Sequence, residues 1–112
     1  MNLPATMRHV AVTGPGAAEV MHIASGPLPV IGDDDVLIKV DYAGVNRPDV
    51  LQRVGSYAPP PTASPIMGLE VAGTIAAVGS KVSQWKAGDV VCALTPGGGY
   101  AEYCAAPAAH CL

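Results

Sequence analysis

The sequence predicts a mainly β fold, a small barrel or sandwich of about six short strands with one or two short helices. Three observations carry that reading. Val36, Ile38, Val40 and Tyr42 alternate with Lys39 and Asp41, the period of two expected of a strand with one buried face. Thirteen Gly and eleven Pro in 112 residues cut the chain into short pieces. Only residues 46–55 carry the start and stop signals of a helix.

The elements follow in order. Met7–Thr13 reads as a strand ended by Gly14-Pro15-Gly16, and Glu19–Ser25 as a second ended by Gly26-Pro27. The acidic turn Asp33-Asp34-Asp35 leads into the clearest strand, Val36–Val45. Pro48 suits the first turn of the helix and Gly55 suits its end. Ser56–Pro65, with Pro59-Pro60-Pro61 inside it, reads as an extended loop that loses little entropy on ordering. Val71–Val78 is β-leaning, and Gly73 within it marks a bend or a close approach of backbones. Val90–Leu94 reads as a buried strand. Pro96–Gly99 is a tight loop and Tyr100–Ala105 a last strand.

Composition excludes several classes. Half the residues are hydrophobic and 13% are charged, which is too apolar for a disordered chain. There is no Phe and a single Trp, so the core must be built from Val, Ile, Leu and Ala. The net charge is −3 and the six basic residues are scattered, which argues against nucleic acid as a partner. The long uncharged stretch 54–69 is broken by Pro59, Pro60, Pro61 and Pro65, so it cannot be a membrane helix. The N-terminus has no basic-then-apolar signal pattern. The expected location is cytoplasmic, with the three cysteines as free thiols. A zinc site from Cys104, His110 and Cys111 is the metal alternative.

The chemistry concentrates between Asn46 and Glu70. Asp49 and Arg53 are four apart and can pair on one helix face. Asn46 and Tyr57 can orient a carbonyl by hydrogen bonding without carrying charge. Gly97-Gly98-Gly99 is followed by a strand pattern, so it is not a dinucleotide cradle; no G-x-G-x-x-G occurs in the chain. The triplet is either a plain turn or a place where a flat ligand nears the backbone.

Several segments together resemble a known family: Gly44-Val45-Asn46-Arg47-Pro48-Asp49, Gln52-Arg53-x-Gly55-x-Tyr57, Gly68-Leu69-Glu70-Val71-Ala72-Gly73, Trp85-Lys86-x-Gly88-Asp89 and Pro96-Gly97-Gly98-Gly99-Tyr100-Ala101-Glu102-Tyr103. They are similar to the N-terminal part of zinc-independent quinone oxidoreductases of the medium-chain dehydrogenase/reductase superfamily, in the p53-inducible quinone oxidoreductase-like branch. The resemblance covers nearly the whole chain. It implies a GroES-like, partly open β-barrel and a catalytic-domain portion over residues 1–112, without the Rossmann domain that holds most of the cofactor. It implies hydride transfer from NADPH to a quinone or similar activated acceptor. By the same resemblance Asn46, Asp49, Gln52 and Tyr57 line the nicotinamide cleft, and Asn46 and Tyr57 are the catalytic candidates. Tyr57 is either the donor to a developing oxyanion or a loop anchor. Zinc-dependent relatives carry Cys where this chain has Asn46 and His where it has Leu69, which implies that no zinc is bound. The isolated chain is expected to lack NADPH binding and turnover, and to self-associate through exposed edges. The alternatives are a stand-alone, non-catalytic binding or assembly module on the same scaffold, and an enoyl thioester or enone reductase.

Overall fold

A computed structural model describes residues 3–61 and 63–112. Met1, Asn2 and Thr62, the last inside the expected proline loop, lie outside the described residues. The described residues form six strands and one α-helix in the order β1 (Thr6–Val12), β2 (Met21–Pro27), β3 (Asp35–Ala43), α1 (Arg47–Val54), β4 (Glu70–Val78), β5 (Val90–Leu94) and β6 (Tyr103–Pro107). Short 3-10 turns at Ala18–Val20 and Ala108–His110 complete it.

The strands form two antiparallel sheets. β1 and β2 make a hairpin, and the other four run in the order β5-β4-β3-β6. The corner at residues 100–102 joins them. Val10 N–H donates to Tyr100 O, Glu102 N–H to Arg8 O, and Val40 N–H to Glu102 O. The ring is not closed, so the mainly β architecture is a pair of sheets meeting at a corner rather than a full barrel, as the partly open expectation had it.

The four-stranded sheet buries two faces. On one, Val36, Ile38, Val71, Ile75, Val91 and Cys104 form the main core. On the other, Leu37, Ala76 and Tyr103 pack beneath Met7 of the hairpin. The expectation of a single buried face on β3 therefore fails at residues 36–38, because the hairpin covers the second face. Tyr42, expected inside, is largely exposed because β3 has run past the cover there. Trp85 supplies the one large ring: it packs against the main core and its indole N–H donates to Ala108 O at 3.1 Å.

Strands β2, β3 and β6 depart furthest from the sequence expectation. β2 begins after a 3-10 turn and includes Pro27, which is tolerated on a free outer strand that asks no donor of it. β3 stops at Ala43. β6 begins at Tyr103, because residues 100–102 form the corner that meets β1. Gly73 is a close backbone approach: a Cβ there would overlap the Lys39 carbonyl. No helix among the described residues is long and apolar enough to cross a membrane.

Ile75 is fully buried between β3 and β5, whereas Val90 on the outer strand is 78% exposed. Ile75→Ala is expected to lower unfolding free energy by about 2–5 kcal/mol. Val90→Ala should change it by no more than about 0.5 kcal/mol. Urea denaturation of both variants checks the contrast.

Candidate functional site

The site is built on the N-terminus of α1. Asn46 is extended (φ −129°) and ends the incoming chain, and Asp49 in the first turn accepts the Asn46 backbone N–H through Oδ2 at 2.9 Å. A carboxylate there satisfies a donor the helix leaves unpaired and meets the positive end of the helix dipole. Pro48 needs no donor in that turn. Gly55 closes the helix with φ +89°.

Arg53, in the last turn, donates Nε–H to Gly16 O at 3.1 Å, and its own carbonyl accepts Gly16 N–H. The helix is thereby tied to the turn before β2. The expected Asp49–Arg53 ion pair does not form, since each side chain is engaged elsewhere.

The glycine triplet is a backbone clamp. Gly98 N–H donates to Ile66 O (2.7 Å), Gly99 N–H to Gly68 O (3.0 Å) and Tyr100 N–H to Met67 O (2.9 Å). Gly68 has φ +106°, and a Cβ on it would sit 2.7 Å from the Tyr100 nitrogen. The missing side chains admit a second stretch of the same chain.

This clamp brings three distant segments together. The Tyr100 hydroxyl donates to Asp49 Oδ2 at 2.6 Å, and the Asn46 side-chain amide donates to Glu70 Oε1 at 3.0 Å. Gly44 N–H donates to the Glu70 carbonyl, and the Glu70 side chain lies over Gly44, where a Cβ would collide with it. Burial, and then the Asp49 carboxylate, push the Tyr100 hydroxyl well above the ordinary phenol range. It therefore remains a donor at any physiological pH. Asp49 is 3% exposed, and its Oδ1 is buried without a hydrogen-bond partner among the described residues. Asp49 and Tyr100 border a cleft of about 220 Å³ whose apolar wall includes Val10, Met21, Val45, Val50 and Met67.

Of the residues expected from sequence, Asn46 and Asp49 are joined directly. Gln52 lies on the same helix, half-buried; its backbone carbonyl accepts Gly55 N–H, and its side chain has no partner among the described residues. Tyr57 is half-buried in the loop after α1; among the described residues its hydroxyl has no hydrogen-bond partner and it does not border this cleft. Tyr100 and Glu70 were not assigned to the site from sequence. The available signal was a tyrosine directly after three glycines, where a tight backbone path dictates the direction of the next side chain.

No group of three or more His, Cys, Asp or Glu placed to hold a metal occurs among the described residues, so Cys104, His110 and Cys111 do not converge as ligands. Cys104 is buried and its thiol is pushed up to about 11 by desolvation; Cys111 is shifted the same way. Cys92 is exposed.

Residues 32–112 match the family model described as the alcohol dehydrogenase GroES-like domain. The chain is 43% identical over 99 residues to the quinone oxidoreductase of Lama guanicoe, covering 87% of this chain and 30% of that protein. A quinone oxidoreductase structure from Pseudomonas syringae pv. Tomato superposes with a TM-score of 0.84 at 29% identity, over 95% of this chain and 33% of that one. A mycobacterial protein solved in complex with NADPH superposes with a TM-score of 0.79 at 36% identity, over 94% of this chain and 31% of that one. The chain thus spans about a third of the length of the proteins it resembles.

Two measurements test this geometry. Gly68 and Gly88 both have positive φ, but open space surrounds Gly88. Gly88→Ala should cost about 1–2 kcal/mol from backbone strain alone. Gly68→Ala adds the backbone collision and should cost about 3 kcal/mol or more in urea unfolding. Separately, iodoacetamide at pH 8 is expected to alkylate Cys92 alone in the folded chain, read by peptide mass spectrometry, because burial keeps Cys104 and Cys111 protonated and shielded.

Proposed function

This chain belongs to the family of alcohol dehydrogenase GroES-like domains, and on that premise we propose that it forms one wall of the catalytic cleft of an NADPH-dependent quinone oxidoreductase. The observation that carries the proposal is the hydrogen-bonded convergence of Asn46, Asp49, Glu70 and Tyr100, of which Asp49 and Tyr100 border an apolar cleft. The likeness to quinone oxidoreductases supports the choice of reaction.

The residues present fit a nicotinamide group. Asp49 Oδ1 is a buried acceptor with no donor among the described residues, and a carboxamide carries N–H donors. NADPH, when bound, supplies the hydride. The chain's own contribution is positioning. Asn46 has one amide N–H committed to Glu70, which fixes the plane of the amide and leaves its oxygen and second N–H to orient a carboxamide or an acceptor carbonyl. Val50 and Met67, on the apolar wall of the cleft, are proposed to exclude water from the face where the hydride passes. Tyr57, on the loop after α1 and outside the cleft that Asp49 and Tyr100 border, is proposed from the family resemblance alone as the donor to the oxygen that becomes negative as a quinone accepts the hydride, and Gln52 on the same basis as a lining residue. The quinone gains the hydride and then a proton, leaving as the hydroquinone.

The reaction is proposed to be zinc-independent, because Asn46 and Leu69 stand where a ligand Cys and His would be required. The partner is a Rossmann domain that binds the rest of the cofactor, and the chain alone is proposed to bind NADPH weakly and to self-associate. Exposed Val90 and Leu94 on β5, with exposed Leu112 paired alongside Cys92, support an uncovered apolar surface of that kind. Three free cysteines support a reducing, cytoplasmic setting.

The test is NADPH oxidation by 1,4-benzoquinone with the natural protein that carries this chain. Turnover is expected, unaffected by 1,10-phenanthroline, and Asn46→Ala should lower kcat/KM by about tenfold or more. Absence of turnover, or its loss on chelation, would remove the zinc-independent quinone reductase reading.

A further inference from the structure

We propose that Tyr100 is a positioning residue of this cleft, holding Asp49, and through Asp49 the Asn46 end of α1, in its working orientation. The inference rests on the oxidoreductase reading above for its functional consequence, and on geometry for its mechanism.

Asp49 Oδ2 accepts two hydrogen bonds, from Asn46 N–H at 2.9 Å and from the Tyr100 hydroxyl at 2.6 Å. These are its only partners among the described residues, and the carboxyl is almost wholly buried. A buried carboxylate holds its rotamer only while donors satisfy it. Removing the shorter of the two bonds leaves one donor for two oxygens. The carboxylate then gains by turning toward water, and the bond to Asn46 N–H breaks with it. Asn46 is the N-terminal flank of the helix, so its side-chain amide loses the backbone frame that aims it at Glu70 Oε1.

Tyr100 suits the task for two reasons. Its backbone is pinned by its N–H bond to Met67 O and by the carbonyl it offers to Val10 N–H, so the ring cannot drift. Its hydroxyl also stays protonated across physiological pH, so the donor is always present. Tyr100 needs no contact with substrate or cofactor to act in this way.

The test is Tyr100→Phe, alone and combined with Asp49→Ala, in the natural protein that carries this chain. The direct readout is backbone amide hydrogen exchange. Tyr100→Phe is expected to speed exchange of the Asn46 amide by about tenfold or more while leaving the Ile38 and Ile75 amides unchanged. Because Tyr100 acts through Asp49, the double variant should exchange at Asn46 no faster than Asp49→Ala alone. Unaltered Asn46 exchange in Tyr100→Phe, or additive effects in the double variant, would overturn the proposal. If Tyr100→Phe does not fold, Asp49→Ala decides instead: Asn46 exchange must rise with Ile38 and Ile75 protected, and an unchanged Asn46 sinks the idea. The kinetic readout is expected to be a fall in kcat of about tenfold with the NADPH KM within about twofold, and an unchanged kcat overturns the positioning role. An enzyme without quinone reductase activity overturns the functional reading alone, and the exchange measurements still decide whether Tyr100 holds Asn46.

Discussion

The site hangs on one steric constraint, the direct contact of two backbones without side chains between them. Gly99 lies against Gly68 so closely that a Cβ on either would collide with, or press hard against, the other segment. Three consecutive N–H groups, of Gly98, Gly99 and Tyr100, then reach the carbonyls of Ile66, Gly68 and Met67. That seam delivers the Tyr100 hydroxyl to Asp49. It also ends where β4 begins, which delivers Glu70 to Asn46. A wider separation at the seam would break both contacts, because each is a single hydrogen bond at the end of a side chain.

The second requirement is electrical. Burying a carboxylate costs several kcal/mol unless donors replace water. Asp49 meets that cost with a backbone N–H, a phenol and the positive end of an eight-residue helix. The balance is incomplete, since Oδ1 remains without a partner among the described residues. Hydrogen bonds to a charged group contribute about 1.5–3 kcal/mol each, so any further donor brought to that oxygen would stabilise the buried carboxylate.

The scaffold around the site is made of small aliphatic residues. With no Phe and a single Trp, the two-faced sheet packs mostly by the close fit of Val, Ile and Ala, with one ring on each face, Trp85 against the main core and Tyr103 in the other. Such packing tolerates narrow spacing between strands, as the close contact of Gly73 with β3 illustrates. It also means that the hairpin β1–β2 is required as a lid over Leu37 and Tyr103, and that the outer strand β5 keeps an apolar side without cover.

The sequence by itself determined the strand-rich class and the helix with its Pro48 and Gly55 boundaries, and it singled out Asn46 and Asp49 as candidates. Those are local matters: a period of two, a proline in a first turn and a positive-φ glycine act over a few neighbours. The motifs also pointed to the family. Only the tertiary structure decided that Asp49 bonds Tyr100 instead of Arg53, that Glu70 holds Asn46, and that β3 is buried on both faces. Each depends on which distant segment arrives: Tyr100 lies 51 residues from Asp49, and Glu70 lies 24 from Asn46. Helix spacing allowed Asp49 and Arg53 to pair, but it carries no information about competitors from elsewhere in the chain. The glycines at 68 and 97–99 were visible as turns; that they face one another is a fact of three dimensions, because nothing in a one-dimensional pattern records which backbone will fill the space a missing side chain leaves.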